Sequence, residues 1–172
     1  MTHPILNIAD VEVRPADPDR QPVGESAASY DLRCGEIASR IGARKLGYNV
    51  TVVAPGKRSC PFHSHRAEEE MFFILEGSGE VRIGAARYPV RRGDIIACPT
   101  GGPETAHQIL NTGSVEMRYL AVSTLAPLEI CDYPDSGKFG VYAELGTNAD
   151  GSVQRLRHLA RRDDARDYWE GE

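Results

Sequence analysis

"CPFHSHRAEEEMFFILEG", residues 60–77, sets two histidines one residue apart, then three glutamates, then an apolar run stopped by a glycine. In an extended strand, residues i and i+2 face the same way. His63 and His65 therefore project together, roughly 6.6 Å apart at Cα. Two imidazoles at that offset converge on one ion, and zinc, iron, nickel and manganese all accept imidazole nitrogen. Glu70 lies an odd number of residues from His63, so it cannot share one unbroken strand face with it. The polar "RAEE" supplies the turn that must intervene, and Glu70 then opens a second strand, beside the histidines if the two strands pair. Glu69 takes that place if the register slips by one; otherwise Glu68 and Glu69 read as a solvated turn.

The second strand continues Glu70's face with Phe72 and Ile74 and carries Met71, Phe73 and Leu75 on the other. Two apolar faces imply burial on both sides. One face looks into a β unit. The other needs a cover: the N-terminal arm, the C-terminal arm or a second copy of the chain. A homodimer is expected on that ground.

Outward from this stretch the chain reads as all-β. "LGYNVTVVAPG" is a strand closed by a Pro-Gly turn, and "EVRIG", "ARYPV", "DIIACP", "AHQILN" and "VEMRYLAVST" follow, punctuated by glycines about every ten residues. Such spacing marks a sandwich or barrel. "LEICDYPDSGKFGVY" adds one or two strands around a turn. Upstream, Pro4, Pro15, Pro18 and Pro22 exclude a long helix over residues 10–24 and predict an extended arm with one short edge strand near Val11–Val13. "CGEIASRIGARKLG" fits either a helical turn or two short strands broken at Gly42. After Ser152, Val153, Leu156 and Leu159 stand at helical spacing, so a short helix or an irregular arm is expected, with Tyr168 and Trp169 packing back on the barrel. The expected organisation is an extended N-terminal arm over 1–33, a β-barrel over 34–145 and a C-terminal arm over 146–172.

His107 is the downstream partner of the histidine pair. It opens "HQILN" just after the proline- and glycine-rich "CPTGGPET", a position at the mouth of a β unit, where a small-molecule site is both enclosed and reachable. Lys57 and Arg58 read as a solvated turn before they read as an anion clamp. His3 and His158 read as surface residues, and Cys60 and Cys98 as packed thiols.

The chain has 172 residues, enough for one domain with a core, and its formal net charge of -5 argues against a nucleic-acid surface. No window approaches the roughly 18 apolar residues of a membrane span. "MTHPILNIADVEVRP" lacks a basic and then apolar leader, and the four cysteines form no CxxC pair. A cytoplasmic protein with reduced thiols is expected.

Two stretches together resemble the paired motifs of the cupin superfamily, in particular its small bacterial single-domain, metal-binding members. In the first, Gly56 leads to His63 and His65, four residues separate His65 from Glu70, and six separate Glu70 from Gly77. In the second, Gly93, Pro99, Gly101, His107 and Asn111 fit, with five residues between Gly101 and His107, three more than the pattern. The resemblance covers about residues 45–125. It implies a single jelly-roll β-barrel (a double-stranded β-helix) and one divalent metal ion, zinc, iron, manganese or nickel, held by His63, His65, Glu70 and His107; Asn111 looks structural. It also implies a small-molecule substrate or ligand. Sugar-phosphate isomerase-like chemistry is the first expectation. An Fe(II)-dependent dioxygenase and a small-ligand-binding protein without turnover are the alternatives.

Overall fold

The computed structural model describes residues 3–16 and 21–172. Thirteen strands are assigned among them. The first four are β1 (Arg14–Pro15), β2 (Arg33–Glu36), β3 (Leu46–Val53) and β4 (Ser64–His65). Then follow β5 (Glu70–Glu76), β6 (Ser78–Ile83), β7 (Ala86–Arg91), β8 (Ile95–Cys98) and β9 (His107–Leu110). The last four are β10 (Met117–Thr124), β11 (Leu128–Tyr133), β12 (Lys138–Thr147) and β13 (Val153–Arg161). The chain is thus nearly all β, as its turn spacing predicts.

One sheet runs β1-β2-β3-β10-β5-β8. The facing layer is built from two smaller sheets, β7-β6-β9 and β13-β12-β11-β4. The segment before β4 joins them, because Arg58 bridges to Leu110 and His63 bridges to His107 in β9. Between those two bridges the ladder is irregular, and the Gln108 amide fills the gap by donating to the Cys60 carbonyl at 2.8 Å. His63 is therefore part of a sheet although β4 proper is only two residues long.

The layers close on a core of Val53, Phe72, Ile74, Val81, Val90, Ile96, Cys98, Ile109, Met117 and Tyr119. Ile74 is fully buried; a side chain of that size contributes roughly 1.5–3 kcal/mol by leaving water. Cys98 packs here as expected, and its thiol is pushed up to about 12 by burial first and the Glu70 charge second. Asn111 is structural: its amide nitrogen donates to the carbonyls of Val53 and Val115, and its oxygen accepts from the Gly113 amide.

The N-terminal region packs on the outer face of β3 and on the Leu75 end of β5. Val11, Ile37, Val50 and Val52 form a second cluster, against which Leu6, Val13, Leu75 and Leu120 pack. The short strand expected at Val11–Val13 falls instead at Arg14–Pro15, where it pairs with Cys34 and Arg33. Val11 is turned inward as a core residue. Pro18 lies outside the described residues. The ambiguous "CGEIASRIGARKLG" holds both of its readings in sequence: β2, then a 3-10 turn over Ala38–Ile41 that Gly42 ends with a left-handed φ of 83°.

The expected C-terminal helix is not there. Val153–Arg161 is β13, paired antiparallel to β12 from Lys138↔Arg161 to Thr147↔Val153. The helical spacing of Val153, Leu156 and Leu159 is overridden by the long open edge of β12, which offers backbone partners that an isolated helix lacks. Tyr168 and Trp169 do not return to the barrel. They are exposed and pack edge-on against each other.

Candidate metal centre

His63, His65 and His107 come from one layer, and Glu70 reaches them from the other. Glu70 is not paired beside the histidines, as a simple hairpin would have it. It sits opposite Cys98 in β8 and Ser123 in β10. β4 pairs with β11, His65 opposite Cys131. Because Glu70 shares its face with Phe72 and Ile74, its carboxylate points into the barrel, where the imidazoles also point.

The convergence is tight. Glu70 Oε2 lies 2.8 Å from His107 Nε2, 3.2 Å from His65 Nε2 and 3.9 Å from His63 Nε2. One ligand atom from each of the four residues lies within 4.8 Å of every other. All four residues that the sequence pattern names are therefore brought to one point.

The remaining ring nitrogens explain why the Nε2 atoms face inward. His63 Nδ1 is 2.8 Å from the Pro61 carbonyl, and His107 Nδ1 is 3.3 Å from that of Thr105. A carbonyl only accepts, so these contacts place the proton on Nδ1 and leave Nε2 a lone pair. His65 Nδ1 faces Cys131 Sγ at 3.4 Å. His65 Nε2 is buried and makes no hydrogen bond; its contact with Glu70 is close but not directed as a hydrogen bond. Lone pairs and a carboxylate aimed at one point need a cation between them. Three imidazole nitrogens and one carboxylate oxygen suit zinc, iron, manganese or nickel, so the residues fit a divalent metal.

The charges agree. Burial alone would raise the Glu70 pKa, but the close contacts with His107 and His65 outweigh it and hold the carboxylate well below its usual range. Burial alone would lower that of His65, yet the contacts with Cys131 and Glu70 push it up to about 10. In the metal-free protein a proton on His65 thus takes part of the cation's role.

Three other expectations are decided nearby. Glu69 is exposed and is not in the cluster; Glu68 is not the solvated residue expected, being half-buried with its carboxylate accepting from the Ala126 amide. Lys57 Nζ donates to the Ala28 carbonyl, and the Arg58 guanidinium lies over the Tyr30 ring. The long link between Gly101 and His107 is an ordered loop, with the Gly101 amide donating to the His65 carbonyl at 2.8 Å and Thr105 to that of Gly102 at 3.1 Å.

The sequence reading missed the β11 wall. Glu129, Cys131 and Tyr133 alternate on one strand face and line the cluster. Cys131 touches His65. Tyr133 stacks on His63 with ring centroids 6.1 Å apart, and its hydroxyl meets that of Tyr142 at 2.8 Å. The signal was the polar odd-numbered set Glu129-Cys131-Tyr133 within "LEICDY".

A closed antiparallel double-stranded β-helix with three inward imidazoles and a carboxylate defines a cupin-type barrel. Residues 49–123 match the family model Cupin_2, described as the cupin domain. On that stretch the chain carries a cupin domain. A Methanocaldococcus jannaschii protein is 38% identical over 72 residues, 42% of this chain and 54% of that one. An oxalate-binding protein of Thermotoga maritima is 35% identical over 71 residues, 41% of this chain and 56% of its own. The chain spans about half the length of these curated relatives. A cupin-superfamily structure from Silicibacter pomeroyi, described as a sugar phosphate isomerase, superposes with a TM-score of 0.74 at 23% identity, covering 97% of this chain and 98% of that one.

Proposed function

We propose that the chain binds one divalent metal ion through His63, His65, Glu70 and His107 and acts as an isomerase on a small polyhydroxylated, phosphorylated substrate. The observation that carries the metal part is the convergence of three Nε2 atoms on Glu70 Oε2, with His65 Nε2 buried and unbonded. When bound, the ion supplies a Lewis acid that polarises a substrate carbonyl or hydroxyl, which makes a neighbouring C–H proton removable. Around it the chain's own groups do the rest. The four ligands would hold the ion, Phe72 and Tyr119 exclude water beneath it, and the Tyr133–Tyr142 hydroxyl pair offers a hydrogen-bond donor and acceptor to substrate at its edge. Burial, and then Tyr142, raise the Tyr133 pKa, so that phenol keeps its proton.

The Silicibacter pomeroyi structure supports the isomerase reading by its fold and described activity. The Thermotoga maritima relative supports a second one, binding of a small dicarboxylate without turnover. A cytoplasmic setting, in which the cysteines stay reduced, belongs to the same proposal. The metal-loaded protein, incubated without oxygen in heavy water with a panel of aldose and ketose phosphates, is expected to exchange the proton next to the carbonyl, followed by NMR. Oxygen uptake with the Fe(II) form, or oxalate binding with no exchange on any sugar phosphate, contradicts the isomerase reading.

A further inference from the structure

Glu129 is the most buried carboxylate of the molecule's site region, 4% exposed. Its oxygens accept three consecutive backbone amides: Arg66 at 2.8 Å, Ala67 at 3.1 Å and Glu68 at 2.5 Å. These amides belong to the turn that joins His65 to Glu70. Glu129 Oε2 also lies 3.8 Å from His65 Nδ1. Burying a carboxylate costs several kcal/mol unless donors replace its water, and here the donors come from one short loop.

We propose that Glu129 is the positioning residue of the metal centre: by gripping the 66–68 turn it sets the spacing between His65 and Glu70, and by facing Nδ1 of His65 it keeps Nε2 the nitrogen presented to the metal. The inference rests on the metal reading above and assigns Glu129 no contact with the ion. Side chains of the turn are anchored as well, Arg66 to Asp132 and Glu68 to the Ala126 amide, but only Glu129 takes three successive amides of its backbone. Outer partners of this kind typically carry 10–100-fold in metal affinity.

The test uses the full chain stripped of metal, with Zn2+ as the probe, titrated in competition with a chromophoric chelator. Glu129→Ala is expected to weaken Zn2+ binding about 10–100-fold. Glu129→Gln, which keeps one accepting oxygen and the shape, is expected to recover part of that loss; it also serves if the alanine variant does not fold. Amide hydrogen exchange of the metal-free variants is expected to quicken at Arg66, Ala67 and Glu68 while β3 and β10 keep their protection. Unchanged Zn2+ affinity in a folded variant overturns the proposal and leaves the metal reading standing. No Zn2+, Fe2+, Mn2+ or Ni2+ binding by the wild-type chain overturns the metal reading, whereas unchanged exchange at 66–68 overturns the grip itself.

Discussion

At the residue scale the centre is a balance of protons and metal. His65, raised to about 10 without metal, is charged at neutral pH, so a metal ion entering the site must displace that proton. Metal binding at pH 7 is expected to release about one proton, read as a dependence of the calorimetric heat on buffer ionisation enthalpy; a buffer-independent heat contradicts it. The stability of the metal-free protein follows with signs worked out. His65 is raised from 6.5, so its contribution is full below 6.5 and is lost as pH rises toward about 10. Glu70 is lowered from 4.5, so its contribution is full above 4.5 and is lost as pH falls below it. Thermal midpoints of the metal-free protein are expected to peak between those limits and decline on both sides. The four ligands were legible because strand parity and motif spacing act locally. Glu129 was not, because its task depends on β11 lying against β4, which no local pattern states.

Among elements, the turns are where the chain has least freedom. Gly77 joins β5 to β6 with φ of 79°, and a Cβ placed there would come 2.7 Å from the Glu116 carbonyl oxygen. Both the left-handed backbone and the close approach require glycine. Gly77→Ala is expected to cost about 1–3 kcal/mol in chemical denaturation; an unchanged midpoint contradicts the account of this corner. The strands from β3 to β10 were legible from their β-branched runs and glycine stops. β13 was not: Val153, Leu156 and Leu159 sit at helical spacing, and the open edge of β12 overrode it.

For the whole molecule, the N-terminal region covers the Leu75 end of β5, in one cluster with Val11 and Ile37, while Met71 and Phe73 are half-buried outside that cluster. A second surface bears on the homodimer expected from "MFFIL". Leu128, Leu145, Val153, Leu156 and Leu159 are large, apolar and exposed across the β11–β13 sheet, and β13 has a strand partner on one side only. Exposed apolar sheet faces with an open edge favour self-association. Sedimentation at micromolar concentration is expected to show a dimer that Leu156→Glu weakens; a monomer in the wild type contradicts it.

The most direct test is metal stoichiometry, by elemental analysis of protein purified without a polyhistidine tag. About one equivalent of zinc, iron, manganese or nickel per chain is expected, with His107→Ala folded but close to metal-free. A wild-type chain lacking any of these metals, or a His107→Ala chain that keeps a full equivalent, contradicts the account.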